Sequence, residues 1–151
     1  MRTLDEITVN GSLERTFEVA SQVELWPTFL PHYRWVRMLE PRGGVPIVEM
    51  AAWRPFGVVK YPTRWVSEME VVPTENQVRY LHIHGITARM NVVWQLTQRD
   101  DQVHISIVHE WAGPRWPLIG GIAANLVIGP VFIHGIARLT LEGVKRESER
   151  A

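Results

Sequence analysis

The sequence predicts an α+β fold in which a curved antiparallel sheet of six to seven strands wraps around a long C-terminal helix. Three observations support this prediction. One strand pattern is followed by two short helices, then come six strand-like segments with short connections, and one long helical segment closes the chain. The length of 151 residues suits a single domain, expected over residues 1–151.

The first strand and the two short helices are predicted at the start of the chain. Residues Glu6–Asn10 alternate apolar and polar side chains, which is the period of a strand. Ser12 is a favourable N-cap for a helix over residues 13–23, where apolar side chains recur every three or four positions. Pro27 and Pro31 then limit helical structure, so the second helix is short.

Six further segments have the composition of strands. They are rich in Val, Ile, Trp and Tyr and are separated by short turn sequences: Tyr33–Glu40, Val45–Trp53, Val58–Val72, Gln77–His84, Thr87–Gln98 and Gln102–Trp111. Consecutive strands joined by such short connections form an antiparallel meander.

The last segment, Leu118–Glu149, is predicted to be helical, with a kink or break at Gly129-Pro130. Beyond the break, apolar side chains from Ile133 to Val144 form one stripe, and charged side chains cover the opposite side. A curved sheet does not fill all the space against one helix. The gap between them is therefore the expected place for a ligand.

The composition excludes several functions. Lys plus Arg equals Asp plus Glu at 16 each and the pI is about 7.0, so no nucleic-acid partner is expected. Cysteine is absent, which excludes disulfides, thiolate zinc sites and a cysteine nucleophile. Serine-hydrolase and phosphate-binding motifs are missing, and no cofactor is expected. The N-terminal residues lack a signal-peptide core, so a cytoplasmic location is expected.

The stretch Trp116–Ala137 has 22 residues without Asp, Glu, Lys or Arg. Its length would span a bilayer, but its two prolines and four glycines argue against a spanning helix. Two other roles remain open. The stretch would touch a membrane transiently during ligand exchange, or it would form the interface of a homodimer.

Four short features occur together in this order of elements: Trp26-Pro27 after the first helix, Tyr33, the strand motif Trp65-Val66-Ser67, and Met90-Asn91-Val92-Val93-Trp94. With them the chain resembles the START-like (SRPBCC) superfamily over about residues 5–149. The resemblance is closest to bacterial polyketide cyclases/aromatases, and it extends to ubiquinone-binding START-like proteins. It implies the helix-grip fold and a cavity in which a poly-β-ketone cyclises by aldol chemistry and loses water.

One position departs from the cyclase pattern. Strand alternation places Trp65, Ser67 and Met69 on one face, which is predicted to point inward because the alternate positions are mostly charged. The resembled cyclases carry a pocket arginine at the position of Met69. A thioether can neither protonate an enol nor hold an oxyanion, so that part of the family's chemistry is not carried over.

Histidines supply the candidate proton-transfer groups. Tyr80, His82 and His84 share one strand face, and the resemblance turns this face inward, whereas hydrophobicity alone would turn it to solvent. His109 lies between apolar residues of the last strand and suits a general acid or base, although a core histidine bonded to the backbone or to Tyr33 is the alternative. Because no carboxylate shares these faces, no metal site is expected.

The predicted catalytic groups are Tyr33, His82 and His109. The predicted ligand-binding set comprises Trp26, Tyr33, Trp65, Ser67, Met69, Tyr80, His82, His84, Met90, Trp94, His109 and Trp111. Two hypotheses follow. The chain is a polyketide cyclase or dehydrase that works by general acid/base catalysis without metal, or it is a non-catalytic carrier of a lipid, isoprenoid or quinone. Both predict one hydrophobic small molecule between the sheet and the C-terminal helix.

Overall fold

A seven-stranded antiparallel sheet and three α-helices make up the part of the chain that the computed structural model describes, residues 2–56, 59–85, 87–112 and 133–150. The strands are β1 (Arg2–Val9), β2 (Tyr33–Arg42), β3 (Val45–Phe56), β4 (Val59–Val72), β5 (Gln77–His84), β6 (Asn91–Arg99) and β7 (Gln102–Glu110). The helices are α1 (Leu13–Ser21), α2 (Trp26–Phe29) and α3 (His134–Glu149), and short 3-10 turns cover Val23–Leu25 and Pro73–Glu75. The strand order is β1-β7-β6-β5-β4-β3-β2.

The sheet curves around α3. This helix contacts both β1 and β3, which lie near opposite edges of the strand order. Its buried face includes Ile136, Ala137, Leu141 and Val144, which is the apolar stripe that the sequence predicts. The predicted α+β architecture, with two short helices after the first strand, is therefore confirmed.

Local sequence signals fix the first helix. Ser12 has extended backbone angles, and its Oγ accepts a hydrogen bond from the Arg15 backbone N–H at 3.1 Å, as expected of an N-cap. Pro27 stands in the first turn of α2, where its missing N–H costs nothing.

α3 also packs closely on the segment that follows α2. A Cβ added at Gly143 would lie 2.1 Å from Leu30 Cδ2. Leu30 is fully buried and has little room to withdraw. Only glycine therefore permits this approach, which brings α2 and the start of β2 against the helix.

The two largest differences from the predicted strand boundaries are four residues each. β1 begins at Arg2 rather than Glu6 because its full length pairs with β7, a long-range effect that alternation does not report. β6 begins at Asn91 rather than Thr87. The preceding residues form turns in which the Arg89 N–H donates to the His82 carbonyl at 2.7 Å, and Arg89 has a φ of 74°.

The described residues include only part of the segment predicted to be helical at the C-terminus. Residues His134–Glu149 form the expected helix. Residues 118–132, with the predicted break at Gly129-Pro130, lie outside the described residues.

Candidate functional site

A cavity lies between the inner face of the sheet and the beginning of α3. The volume of the cavity that the centre of a water molecule can occupy is about 70 Å³. One water needs ~10–15 Å³ of such volume, so the cavity has room for several. Aromatic and aliphatic side chains dominate the walls, which suit an apolar ligand. The lining residues are Trp26, Tyr33, Met50, Trp65, Tyr80, His82, Thr87, Met90, Val92, Trp94, Ile107, His109, Ile133, Ile136, Ala137 and Thr140.

Packed aromatic rings form one wall. Trp26 meets Tyr33 edge to face with centroids 5.3 Å apart and lies 5.5 Å from the Trp94 ring. Tyr33 in turn meets Trp65 at 6.2 Å. The Trp26 indole Nε1–H donates to the Val19 carbonyl at 3.1 Å, so its one polar atom is satisfied within the protein. This wall is rigid and apolar.

Thr140 on α3 ties the helix to the start of β2. Its hydroxyl donates to the Ile136 carbonyl at 2.8 Å, and its Oγ1 lies 2.9 Å from His32 Nε2. Tyr33 is hydrogen-bonded to the same oxygen. Because the Thr140 proton is used, His32 and Tyr33 both donate to it. Burial lowers the pKa of His32 to about 4 and raises the pKa of Tyr33 above its usual value.

His82 is held between two neighbours. Its ring stacks on Trp65 with centroids 6.0 Å apart and an interplanar angle of 12°, and its Nδ1 lies 2.7 Å from Thr87 Oγ1. Burial lowers the pKa of His82 to about 4. The imidazole is therefore neutral at pH 7, with one nitrogen committed to Thr87.

Tyr80 and His109 differ from these groups because each has a buried polar atom without a hydrogen-bond partner in the part of the chain that the structure describes. The atoms are the Tyr80 hydroxyl oxygen and His109 Nδ1. Burial lowers the pKa of His109 to about 3, with smaller contributions from the charges of His82 and His134. Burial also raises the pKa of Tyr80 well above its usual value, with a smaller contribution from Tyr33. Both groups are neutral at pH 7.

The structure brings eight of the twelve predicted ligand-binding residues to the cavity wall. These are Trp26, Tyr33, Trp65, Tyr80, His82, Met90, Trp94 and His109. All three predicted catalytic groups are among them. Their roles toward a ligand stay predictions.

The other four do not line this cavity. His84 is exposed at the end of β5, next to an irregularity in the β4–β5 register, which corrects the expectation that it shares the inward face of Tyr80 and His82. Met69 lies farther along β4 and contributes to a separate surface groove beside the turn after α1.

Ser67 and Trp111 are buried next to the cavity. Ser67 has no exposed surface, lies opposite His82 across the β4–β5 pair, and its Oγ has no partner. Trp111 follows β7, and its Nε1–H donates to the Ala88 carbonyl at 3.1 Å. Val66, which alternation placed outward, is also buried.

Sequence reasoning missed eight of the lining residues. Met50, Val92 and Ile107 occupy inner-face positions that strand alternation could have identified. Ile133, Ile136 and Ala137 belong to the helical stripe, which was recognised without being assigned to a cavity. Thr87 and Thr140 carried no recognisable signal in the sequence. Thr87 is bonded to His82, and Thr140 to His32 and Tyr33, and these pairings are known only from the fold.

Two general findings bear on the kind of site. Among the described residues, no group of three His, Asp or Glu side chains is arranged to hold a metal ion. Within the same ranges, no helix has the length and apolar character needed to cross a membrane.

Comparisons with known proteins agree with this architecture. The profile of the family described as polyketide cyclase / dehydrase and lipid transport matches residues 9–130. A search of curated proteins found no match. Among solved structures, the Zhui aromatase/cyclase from a Streptomyces species superposes with a TM-score of 0.81 at 17% identity, covering 99% of this chain and 94% of that chain.

Two other solved structures agree with this result. TTHA0849 from Thermus thermophilus gives a TM-score of 0.79 at 16% identity and covers 98% of this chain and 97% of that chain. A START superfamily protein from Mycobacterium smegmatis gives 0.66 at 14% identity, with 98% and 94% covered. These likenesses confirm the helix-grip START-like fold that the motifs predicted. Because the profile covers most of its length, the chain belongs to the polyketide cyclase/dehydrase and lipid-transport family.

Proposed function

We propose that the chain binds one hydrophobic small molecule in the cavity between the sheet and α3, and that it acts on this molecule as a polyketide cyclase/dehydrase. The apolar and aromatic lining supports the binding. Membership of the family supports the class of reaction.

The observation that carries the binding proposal is the pair of unsatisfied polar atoms, the Tyr80 hydroxyl and His109 Nδ1. A buried polar group without a partner costs about 1–3 kcal/mol. A ligand with oxygen functions would satisfy both atoms and recover that cost. An apolar molecule with carbonyl or hydroxyl groups, such as a polyketide, has this chemistry.

His109 is the best-placed general base of the three predicted catalytic groups. Tyr33 is committed to Thr140 and His82 to Thr87, whereas His109 Nδ1 is free. It would take a proton from the carbon between two ligand carbonyls. The resulting enolate carbon would attack a further carbonyl, whose oxygen takes back that proton and becomes a hydroxyl. The attacking carbon then loses its second proton to the hydroxyl, which leaves as water and forms the double bond. Tyr80 would donate a hydrogen bond to a carbonyl oxygen and stabilise its developing charge.

The test adds the purified protein to a minimal polyketide synthase and records the distribution of products. We expect cyclised and dehydrated products to increase at the expense of shunt products, and we expect His109→Gln to abolish this change while ligand binding persists. An unchanged distribution with folded protein would exclude the cyclase activity.

A carrier function is the second candidate, and one observation favours it. Burial lowers the pKa of both His82 and His109, to about 4 and about 3, so both are weak bases at pH 7. Met69, in addition, replaces the arginine of the resembled cyclases. In this alternative the cavity holds a lipid, isoprenoid or quinone without changing it. Native mass spectrometry and solvent extraction of the purified protein would then detect an intact apolar ligand.

The remaining partner predictions concern residues 116–137, which lie mostly outside the described residues. Transient membrane contact predicts that liposomes retain the protein. A homodimer predicts a sedimentation coefficient that rises with concentration. Either result would support the corresponding role for this segment.

A further inference from the structure

The edge of the sheet beside the cavity carries polar residues that the proposed function does not use. In the antiparallel β1–β7 pair, Thr3 lies opposite His109 and Asp5 lies opposite Ile107. Directly opposite residues point to the same side of a sheet. Because His109 and Ile107 line the cavity, Thr3 and Asp5 also stand on its side of the sheet.

Asp5 is bound to the first residue of α3. His134 Nδ1 lies 2.7 Å from Asp5 Oδ1, and the Asp5 side chain is only 10% exposed. The second carboxylate oxygen, Oδ2, is buried and has no hydrogen-bond partner within residues 2–56, 59–85, 87–112 and 133–150. His134 directly follows Ile133, which lines the cavity. A buried carboxylate with one bonded and one free oxygen thus adjoins the cavity wall.

Two more unsatisfied atoms lie beside it. Thr3 is 9% exposed, and its Oγ1 has no partner among the described residues. His109 Nδ1, on the opposite strand, has none among them either. Native proteins contain few such atoms, and three on adjoining positions of one strand pair indicate a missing partner. We call Thr3, Asp5 and His134, which lie beside His109, the polar corner.

The chemistry of the polar corner specifies that partner. Asp5 Oδ2 can only accept a hydrogen bond, so the partner must bring a proton. A carboxylate ligand would be repelled by Asp5, and an ammonium group would need to be buried beside an apolar cavity at high cost. A ketone or ether brings no proton. A neutral hydroxyl donates to Asp5 Oδ2 and can accept from the Thr3 hydroxyl.

We propose that the polar corner is a subsite for a hydroxyl group of an otherwise hydrophobic ligand, with Asp5 as the acceptor and His134 as the residue that orients the Asp5 carboxylate. The inference depends on the proposed binding of a ligand in the adjoining cavity. It narrows the ligand class to phenols, enols or alcohols.

The test compares three small probes of similar shape: toluene, anisole and phenol. Their affinities are measured by NMR titration for the wild type and for Asp5→Asn, with the exposed Asp101→Asn as the matched control. Asp5→Asn replaces the accepting oxygen by an amide and is expected to weaken phenol binding about tenfold or more, the usual value of a hydrogen bond to a charged group. Toluene and anisole affinities should stay within about twofold, and Asp101→Asn should change none of the three.

Equal loss for all three probes, or no loss for phenol, would overturn the subsite. If toluene does not bind the wild type at all, the cavity itself is not a binding site and the proposed function fails together with the inference. Should Asp5→Asn not fold, Thr3→Val serves instead. This variant removes one hydroxyl and keeps the shape, and phenol binding should again fall while toluene binding does not.

Discussion

Polar groups on the two sides of the cavity differ in their hydrogen bonding. On the paired side, made of His32, Tyr33 and Thr140, the three side chains are hydrogen-bonded to one another. On the open side, made of Tyr80 and His109, two buried polar atoms have no partner among the described residues. Both sides contain a histidine and a tyrosine, and the two tyrosines are each 7% exposed, so residue type does not distinguish the sides. The two sides differ in whether each side chain has a hydrogen-bond partner within the described residues.

This difference indicates which residues stabilise the fold and which are available to a ligand. A closed hydrogen bond adds about 0.5–1.5 kcal/mol to stability, whereas an unsatisfied buried group subtracts about 1–3 kcal/mol. Functional sites commonly carry such destabilising groups. The comparison therefore predicts opposite consequences for matched substitutions on the two sides.

The largest effect is expected for the aromatic wall next to the paired side. Trp26→Ala removes a ring that is 2% exposed and packs on Tyr33 and Trp94. We expect a loss of about 3–5 kcal/mol in the free energy of unfolding, measured by urea denaturation. Trp53→Ala is the control, because Trp53 is 36% exposed and its ring packs on the Arg34 guanidinium at the surface. A comparable loss in the control would contradict a special role for the wall.

Thr140→Val removes the oxygen to which His32 and Tyr33 both donate. The two donors are left buried without a partner, so we expect a loss of about 2–4 kcal/mol. The control Thr97→Val changes an exposed threonine of β6 and should alter stability by less than about 0.5 kcal/mol. Equal stability of the two variants would show that the paired side does not hold α3 to the sheet.

The pH dependence of stability sharpens the comparison. The pKa of His109 is about 3 and that of His32 about 4 in the folded chain, both below the usual 6.5. As the pH falls below 6.5, the unfolded chain takes up protons that the folded chain does not. Stability is therefore complete above pH 6.5 and decreases toward pH 4, by up to about 1.4 kcal/mol per pH unit for each histidine.

Matched leucine variants separate the two sides in this range. His109→Leu and His32→Leu should both flatten the decrease between pH 6.5 and pH 4. At pH 7, His32→Leu should lose about 1 kcal/mol because its bond to Thr140 is gone, whereas His109→Leu should be neutral or stabilising. Urea midpoints at several pH values measure both effects. A pH profile that neither variant changes would refute the neutral state of these histidines.

The fold could be predicted well from the sequence because its signals are local. Strand alternation, the Ser12 cap and the stripe on α3 each depend on neighbouring residues, and the motifs at Trp26 and Trp65 identified the superfamily. The hydrogen-bond partners of the site residues could not be predicted in this way. Whether the Tyr33 hydroxyl has a hydrogen-bond partner depends on Thr140, which is more than a hundred positions away in the sequence. Asp5 gave no signal because its partner, His134, lies near the other end of the chain.

The smallest perturbation tests the central claim most directly. Tyr33→Phe and Tyr80→Phe each remove one hydroxyl from a side chain that is 7% exposed, one bonded to Thr140 and one without a partner. The measurement is the melting temperature of each variant with and without acetophenone, an apolar ligand with one carbonyl oxygen. We predict that Tyr33→Phe lowers the ligand-free melting temperature by several degrees, about 1 kcal/mol, and keeps the acetophenone-induced increase. Tyr80→Phe should keep the ligand-free value and lose most of the increase. The opposite pattern, or equal behaviour of the two variants, would contradict the division of the cavity into a paired side and an open side.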